Sequence, residues 1–419
     1  MRTIHDVIDD RAVTSLFQPL VELSSGRVLG YEALSRGPAG SPWESPVTLF
    51  AAARAAGRDG ELDWVCRAAA YRAALDAGLR QTLFVNMEPT AWHTPCPADL
   101  APVVALARDR LRVVTEMTER AIAADPSGLL SAAANCRAAG WGVALDDVGA
   151  DPMSLALMPF VHPDVVKLDM QLLHSPDDPH TSHVVAAVAA YAEASGATVL
   201  AEGVETEAHE IIARTMGATV GQGWRYGRPA PLPAVPEPVG AQLPLLSPPV
   251  TDRTGGTPFE IVAAQRPTVV TTKAALMPIS KYLEALARDS HQPPVLLSCF
   301  QEARHFTRAT ARRYIAIATR SPLVAALGVD LGDEPAPGVR GAALAAGDTL
   351  RGEWNVLVVG PHQAAALVAR DLGDDGPEAD RRFAFATTYD RTLVIAAARS
   401  LLHLLAPTDP RTVPDLLTV

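Results

Sequence analysis

Two adjacent carboxylates, Asp146 and Asp147, close a short apolar run that begins at Gly142 and is followed by Gly149. The run is typical of a buried strand that opens into a loop. Neighbouring acids repel each other and resist burial, so a site that keeps both ionised needs compensating positive charge, most simply a divalent cation. Alone the pair is weak evidence, because paired acids also occur in solvated loops and at helix N-termini.

Other predicted strands also end on polar residues of the kind that bind metals. In chain order these residues are Glu32, Asn86, Glu116, Asp146 with Asp147, Lys167, Glu202 and Gln222. Oxygen ligands without histidine or cysteine suit Mg²⁺ or Mn²⁺ rather than zinc. Two such ions a few ångströms apart are the usual arrangement for phosphodiester hydrolysis.

Lys167 is one of only three lysines among 36 basic residues. Beside a dication the pKa of its ammonium is expected to fall, which would let it orient or help to deprotonate the attacking water. The alternative is an ion-pair partner of Asp146 or Asp147 without a part in the chemistry.

Strands and helices alternate from the N-terminus to Gly221, with eight predicted strands. This alternation predicts an α/β fold, a modified (β/α)8 TIM-like barrel followed by a smaller α/β domain. The first two strands form a hairpin around Ser24-Ser25-Gly26, so one strand is expected to be antiparallel. Because barrel enzymes build their sites at the carboxyl ends of the strands, the polar residues are expected to converge on one mouth.

Composition limits the class of protein. The chain has 419 residues, of which 48% are hydrophobic and 20% charged, and this suits two domains. No stretch resembles a membrane span or a signal peptide, so a cytoplasmic location without membrane association is expected. The net charge of −11 argues against DNA binding. Four scattered cysteines favour reduced thiols over disulfides or zinc.

The composition changes past Pro229. Eight prolines between Pro229 and Gly256 predict an extended, semi-rigid linker at residues 231–256. A second domain is expected at 257–405 and a tail at 406–419. The predicted strands of this second domain are Thr268–Thr271, Val295–Cys299 and Asn355–Val359. Its predicted helices are Ala309–Thr319, Gln363–Ala369 and Arg391–Leu404. Phe306, Trp354 and Tyr389 would line a pocket or, more commonly, form core.

Residues 1–230 resemble the EAL domain family. The resemblance rests on Phe17-Gln18-Pro19-Leu20, Glu32-Ala33-Leu34-Ser35-Arg36, Phe84-Val85-Asn86-Met87, Glu116-Met117-Thr118-Glu119, Asp146-Asp147, Val166-Lys167-Leu168-Asp169, Ala201-Glu202-Gly203-Val204-Glu205-Thr206, and Gly221-Gln222-Gly223 through Gly227-Arg228-Pro229. It implies hydrolysis of cyclic di-GMP to linear pGpG with two Mg²⁺ or Mn²⁺ ions, and a homodimer through the barrel.

The resemblance also implies roles for individual residues. The metal ligands would be Glu32, Asn86, Glu116, Asp146, Asp147 and Glu202, and Lys167, Glu202 and Asp147 would take part in catalysis. Gln18, Arg36 and Gln222 would contact the substrate or its water network. Glu119 and Glu205 would support the loop that follows the paired aspartates.

That loop departs from the family. The family pattern is roughly Phe-Gly-Thr-Gly-Tyr-Ser-Ser-Leu, whereas this chain has Val148-Gly149-Ala150-Asp151-Pro152-Met153-Ser154-Leu155. In the family the loop couples metal binding to dimerisation, so a second interpretation is a non-catalytic cyclic di-GMP receptor. The complete acidic set favours an active enzyme.

The second domain resembles the DICT domain, a sensory module. The resemblance rests on Phe300-Gln301-Glu302-Ala303-Arg304-His305-Phe306, Arg312-Arg313-Tyr314, Glu353-Trp354-Asn355-Val356, Gly360-Pro361-His362, Ala369-Arg370-Asp371-Leu372-Gly373, and Tyr389-Asp390-Arg391 before Ala398-Arg399-Ser400-Leu401. It implies that this domain binds an unidentified signal ligand. Regulation of the barrel by this domain is expected because the two halves share one chain across a short linker.

Overall fold

The computed structural model describes residues 2–118, 124–150, 154–233, 242–246 and 255–407. The chain divides into two compact units. The first consists of Met1–Ala121, Ser131–Pro152 and His162–Ser247, and the second of Ile122–Leu130, Met153–Val161 and Pro248–Val419. No helix among the described residues has the length and apolar character needed to cross a membrane.

Eight strands close into a barrel in sequence order, which confirms the predicted architecture. They are β1 (Thr14–Glu22), β2 (Val28–Arg36), β3 (Thr82–Asn86), β4 (Val113–Thr118), β5 (Gly142–Val148), β6 (Val165–Leu168), β7 (Thr198–Ala201) and β8 (Val220–Gln222). β1 is antiparallel to both β2 and β8, whereas the other neighbours are parallel. The hairpin turn is made at Gly26, whose φ of 72° favours glycine.

Helices connect these strands close to the predicted positions. Those described up to residue 233 are α1 (Ile4–Asp9), α2 (Pro46–Ala55), α3 (Asp59–Asp76), α4 (Ala101–Arg110), α5 (Pro126–Ala138), α6 (Met158–Val161), α7 (Met170–His174), α8 (Pro179–Ser195) and α9 (Glu207–Thr215). The helix predicted around Leu155 is a 3₁₀ turn, Ser154–Ala156, that precedes α6. Local signals set several ends: Asp178 caps the N-terminus of α8, and Gly196 in the left-handed region ends it.

The described part of the proline-rich segment, 242–246, is not an extended spacer. Leu243 is 2% exposed and packs with interior residues in the amino-terminal halves of the barrel strands, such as Val114 and Val165. Arg112 Nη2 donates to Leu243 O at 2.5 Å, and Leu246 N donates to Asp164 Oδ1 at 2.5 Å. The prediction of a plain linker is therefore wrong for these residues, because they seal the barrel at the end opposite the mouth.

The second unit is built on a seven-stranded mixed sheet in the order β12-β11-β10-β13-β14-β15-β9. The strands are β9 (Val269–Thr272), β10 (Val295–Glu302), β11 (Val324–Val329), β12 (Arg340–Ala343), β13 (Glu353–Val359), β14 (Ala364–Asp371) and β15 (Arg382–Thr388). Its helices are α10 (Pro258–Ala263), α11 (Lys273–Asp289), α12 (Arg308–Ala318) and α13 (Arg391–Leu402). Along β13, every second residue packs against α11 and α12, and the residues between them lie towards α13. Both faces of the sheet are therefore covered by helices.

One predicted helix of this unit is wrong. The amphipathic pattern predicts a helix over Gln363–Ala369, but β14 occupies 364–371 and pairs with β13 and β15. Pairing on both sides satisfies the backbone groups and buries Leu367 and Val368, which outweighs the helix propensity of alanine.

Side-chain expectations for the second domain and the cysteines are largely met. Trp354 belongs to the hydrophobic core, and Phe306 packs against that core. Tyr389, in contrast, is 64% exposed. All four cysteines are free.

Candidate active site

Lys167 lies at the centre of the barrel mouth and is 1% exposed. It is the third residue of β6, so its side chain points inward among the ends of β2, β4, β5 and β7. Its Nζ lies 2.8 Å from carboxylate oxygens of Glu116, Asp146 and Glu202 and 3.8 Å from Glu32. The predicted convergence of strand ends is thus present in the structure.

These four carboxylates carry more negative charge than the one ammonium of Lys167 can balance. Burial raises the pKa of Glu116 well above its usual range and that of Glu202 to about 8, although Lys167 opposes both shifts. Burial alone would raise the pKa of Glu32. The charge of Lys167 and the two amide donors outweigh burial, so the pKa of Glu32 lies below its ordinary value. An excess of buried negative charge of this kind calls for further cations or protons.

The pKa of Lys167 differs from the expectation. Burial lowers it, but Asp146, Glu116 and Glu202 outweigh burial and raise the pKa well above its ordinary value. The expected fall assumed a neighbouring dication, which would compete with the ammonium for the same carboxylates.

Two amides hold Glu32 in place. Asn86 Nδ2 donates to Glu32 Oε1 at 3.0 Å, and Gln222 Nε2 donates to Glu32 Oε2 at 2.5 Å. Gln222 Nε2 also lies 3.1 Å from Gln18 Oε1, while Gln18 Nε2 donates to Gly227 O. Gln18, Asn86 and Gln222 therefore form one network around Glu32.

The strand irregularity between β5 and β6 presents both aspartates to the mouth. The pairing register shifts between Leu145 and Val148, so neither Asp146 nor Asp147 is paired in register with β6. Ligand oxygens of Asp146, Asp147 and Glu202 all lie within 4.8 Å of one another. Asp147 has a φ of 56°, unusual for a residue other than glycine, and this turn redirects its side chain relative to an extended strand.

The residues of the mouth fit divalent cations. Glu116 is 1% exposed, and its Oε2 receives no hydrogen bond from the described residues; the same is true of buried Gln222 Oε1. Buried oxygens without donors cost free energy unless a cation or water satisfies them. The oxygen-only donor set matches Mg²⁺ or Mn²⁺.

Three other predicted residues lie away from this cluster or outside the described chain. Arg36 Nη1 donates to Ser35 O at 2.8 Å, and Arg36 has no ion pair with the described carboxylates. Glu205 is exposed, and its backbone N–H donates to His209. Glu119 lies outside the described residues. The loop-support roles of Glu119 and Glu205 stay predictions.

A cavity of about 280 Å³ adjoins the mouth next to Asn86, and sequence reasoning missed it. Its lining includes the apolar residues Val47 and Phe50 and the acids Asp63 and Glu88. Buried Arg67 pairs with Asp63 at 2.6 Å, and Asp63 also accepts the backbone N–H of Glu88. The signal was available as an acid and an arginine four residues apart on the apolar face of α3.

Curated relatives match the first part of the chain. The probable cyclic di-GMP phosphodiesterase PdeB of Escherichia coli K12 is 27% identical over 235 residues, which cover 54% of this chain and 45% of PdeB. The bifunctional diguanylate cyclase/cyclic di-GMP phosphodiesterase MucR of Pseudomonas aeruginosa is 28% identical over 256 residues, 55% of this chain and 35% of MucR. The chain thus spans less than half the length of these relatives.

Among solved structures, the manganese and cyclic di-GMP complex of BlrP1 from Klebsiella pneumoniae is 30% identical. The match has a TM-score of 0.46 and covers 52% of this chain and 56% of that chain.

Family models account for both parts of the chain. Residues 260–372 match the DICT domain, described as a sensory domain in diguanylate cyclases and two-component systems, within the expected range of 257–405. Residues 1–229, which include the whole barrel and every residue of the mouth, match the EAL domain. The chain therefore belongs to the EAL domain family.

Proposed function

We propose that this protein hydrolyses one phosphodiester bond of cyclic di-GMP to give linear pGpG in a reaction that depends on two divalent cations. The observation that carries the proposal is the excess of buried carboxylates around Lys167 at the carboxyl ends of the barrel strands. The names of the relatives support the same substrate.

Each residue of the mouth has a role in this proposal. Six side chains would hold the ions: Glu32, Asn86, Glu116, Asp146, Asp147 and Glu202. Bound Mg²⁺ or Mn²⁺ would polarise the phosphate and make a water nucleophilic at neutral pH. Lys167 would orient that water through Nζ, and it would accept the proton only where the bound cations displace it from the carboxylates and lower its pKa. The hydrogen bonds from Gln222 keep Glu32 and Gln18 in fixed orientations.

The surroundings of the mouth suit a cyclic dinucleotide. Arg36 offers a forked donor to a phosphate and forms no competing ion pair with the described carboxylates. The cavity next to Asn86 combines apolar residues with the carboxylate of Glu88, which matches the flat face and the N–H edge of a guanine base. We therefore place one base there and a phosphate over the acidic cluster.

The loop from Val148 to Leu155 favours a second candidate function. Because this segment departs from the family pattern, the protein would bind cyclic di-GMP without turnover and signal its occupancy to a partner. Residues 151–153 of the loop lie outside the described residues.

Hydrolysis of cyclic di-GMP by the full-length protein, followed as pGpG by chromatography, distinguishes the two. We expect turnover with Mn²⁺ or Mg²⁺ that is lost with chelator and in Asp146→Asn. Binding of cyclic di-GMP is measured in a parallel titration. Binding without turnover would contradict the enzyme and establish the receptor, whereas neither binding nor turnover would overturn both.

We further propose that the DICT domain binds a signal ligand and adjusts the activity of the barrel, and that the barrel forms a homodimer. The family description as a sensory domain supports the first proposal. A fragment that ends at Ser247 tests it, since equal rates and affinities for fragment and full chain in every condition would remove its basis. Sedimentation of the full chain tests the dimer.

A further inference from the structure

The backbone after the paired aspartates adopts an unfavourable conformation. Asp147 has a φ of 56° and Gly149 a φ of 104°, and Ala150 N donates to Asp147 O at 3.1 Å across the turn. A left-handed conformation at a residue other than glycine is strained, so surrounding contacts must hold it. These contacts also determine where the Asp147 carboxylate lies.

One side-chain hydrogen bond holds this turn from outside the mouth. His180 Nε2 lies 2.8 Å from Gly149 O. A carbonyl oxygen only accepts, so the imidazole must carry its proton on Nε2 and donate. This contact joins residues 31 positions apart.

His180 is itself fixed on a helix. It lies in the first turn of α8, and its backbone N–H donates to the capping carboxylate of Asp178 at 2.8 Å. Among the described residues, Val148 and Gly149 also have apolar and backbone contacts. Leu172 and Val184 lie within 2.8 and 3.1 Å of the position a Cβ on Gly149 would take, and Asp169 N donates to Val148 O.

We infer that His180 is a positioning residue for the divalent-cation site. By fixing the Gly149 carbonyl it holds the turn that keeps the Asp147 carboxylate beside Asp146 and Glu202. This inference rests on the proposed function for the identity of the site. It also gives the altered loop an anchor of its own, formed by a side chain on α8.

The test compares three variants. His180→Phe removes the donor but keeps a ring of similar size, and His180→Gln returns an N–H donor at a similar reach. His183→Phe is the matched control, because His183 is exposed on the same helix. Binding of Mn²⁺ alone is measured by titration calorimetry on full-length protein without nucleotide, with circular dichroism to check folding.

We expect His180→Phe to weaken Mn²⁺ binding by about tenfold, as is typical of groups that support metal ligands from outside. His180→Gln should recover most of the affinity, and His183→Phe should match the wild type. Unchanged Mn²⁺ affinity in His180→Phe, or the same loss in His183→Phe, would overturn the inference. If His180→Phe does not fold, His180→Ala and His180→Gln provide the same comparison.

Failure of the proposed function gives a different result. If the wild type binds Mn²⁺ and cyclic di-GMP but produces no pGpG, while His180→Phe still weakens Mn²⁺ binding, the enzyme is rejected and the role of His180 stands. A wild type that binds no Mn²⁺ would overturn both.

Discussion

Lys167 illustrates how one buried charge organises the mouth. Its Nζ contacts carboxylates at the ends of four different strands, and the amides Asn86 and Gln222 fix one of these, Glu32. Among the described residues, the Lys167 ammonium is the only side-chain cation that forms ion pairs with these carboxylates. We therefore interpret its present ion pairs as contacts that divalent cations would share.

Substitution of this lysine separates binding from chemistry. In Lys167→Ala we expect the rate of cyclic di-GMP hydrolysis to fall by about 10²–10⁴-fold, because a positioned proton-transfer group is lost. Binding of cyclic di-GMP with Mn²⁺ should remain, since the proposed ligands are intact. The assay is pGpG formation beside a binding titration.

Lys281→Ala is the control, as Lys281 is an exposed lysine in the second unit. Hydrolysis by Lys167→Ala at the wild-type rate would reduce Lys167 to a structural ion-pair partner.

At the scale of elements, α9 is joined to the segment after β8 by one exposed network. Glu210 accepts from Arg214, Arg225 and Tyr226 at 2.8–2.9 Å. Hydrogen bonds from Arg214 and Arg225 lower the pKa of Glu210 from 4.5 to about 2. The segment they hold leads to Gly227, whose carbonyl positions Gln18.

The pH dependence of this network has a definite sign. A carboxyl with a lowered folded pKa stabilises the protein above its unfolded pKa of 4.5 and loses that contribution as the pH falls towards about 2. Glu210→Gln should therefore lower the free energy of unfolding at neutral pH, and with it the unfolding temperature. The expected loss is about 1 kcal/mol or less, because the network is exposed.

The difference from wild type should shrink as the pH falls from 4.5 towards about 2, and thermal melts across this range measure it. Glu207→Gln, exposed on the same helix, is the control. A difference that grows on acidification would refute the assignment.

The segment 242–246 is a second element whose role depends on packing. Leu243 is buried against the barrel interior, so Leu243→Ala should lower the free energy of unfolding by about 2–5 kcal/mol. Gln242→Ala, an exposed neighbour, should change it little. Urea unfolding of the full chain measures both, and equal stability of the two variants would contradict the sealing role.

At the scale of the whole molecule, the barrel extends beyond its last strand. A fragment of residues 1–247 retains Leu243 and the hydrogen bond from Arg112, whereas a fragment of residues 1–233 loses them. We expect the longer fragment to unfold at a higher temperature and to keep metal-dependent hydrolysis. Calorimetry of the two fragments checks the first expectation, and equal unfolding temperatures would contradict it.

Much of the barrel was predictable because its signals are local. Alternating apolar runs, the Gly26 turn and capping residues such as Asp178 are each read within a few positions, and they located the eight strands closely. The polar residues at the strand ends were predictable for the same reason, since parallel strands in a barrel bring their carboxyl ends together.

Contacts between distant positions were not predictable in this way. The alanine-rich stretch at 364–371 is a strand because β13 and β15 pair with it, and the proline-rich segment is partly buried because Leu243 fits the barrel interior. The link from His180 to Gly149 also required the folded chain.

The sequence by itself determined the kind of chemistry, through the types of residues that follow each strand and their order along the chain. The tertiary structure alone decided which of those groups contact the same ammonium, amide or carbonyl. The physical reason is that side-chain type is local, whereas burial and hydrogen-bond partners depend on which distant segments the fold brings within about 3 Å of each other.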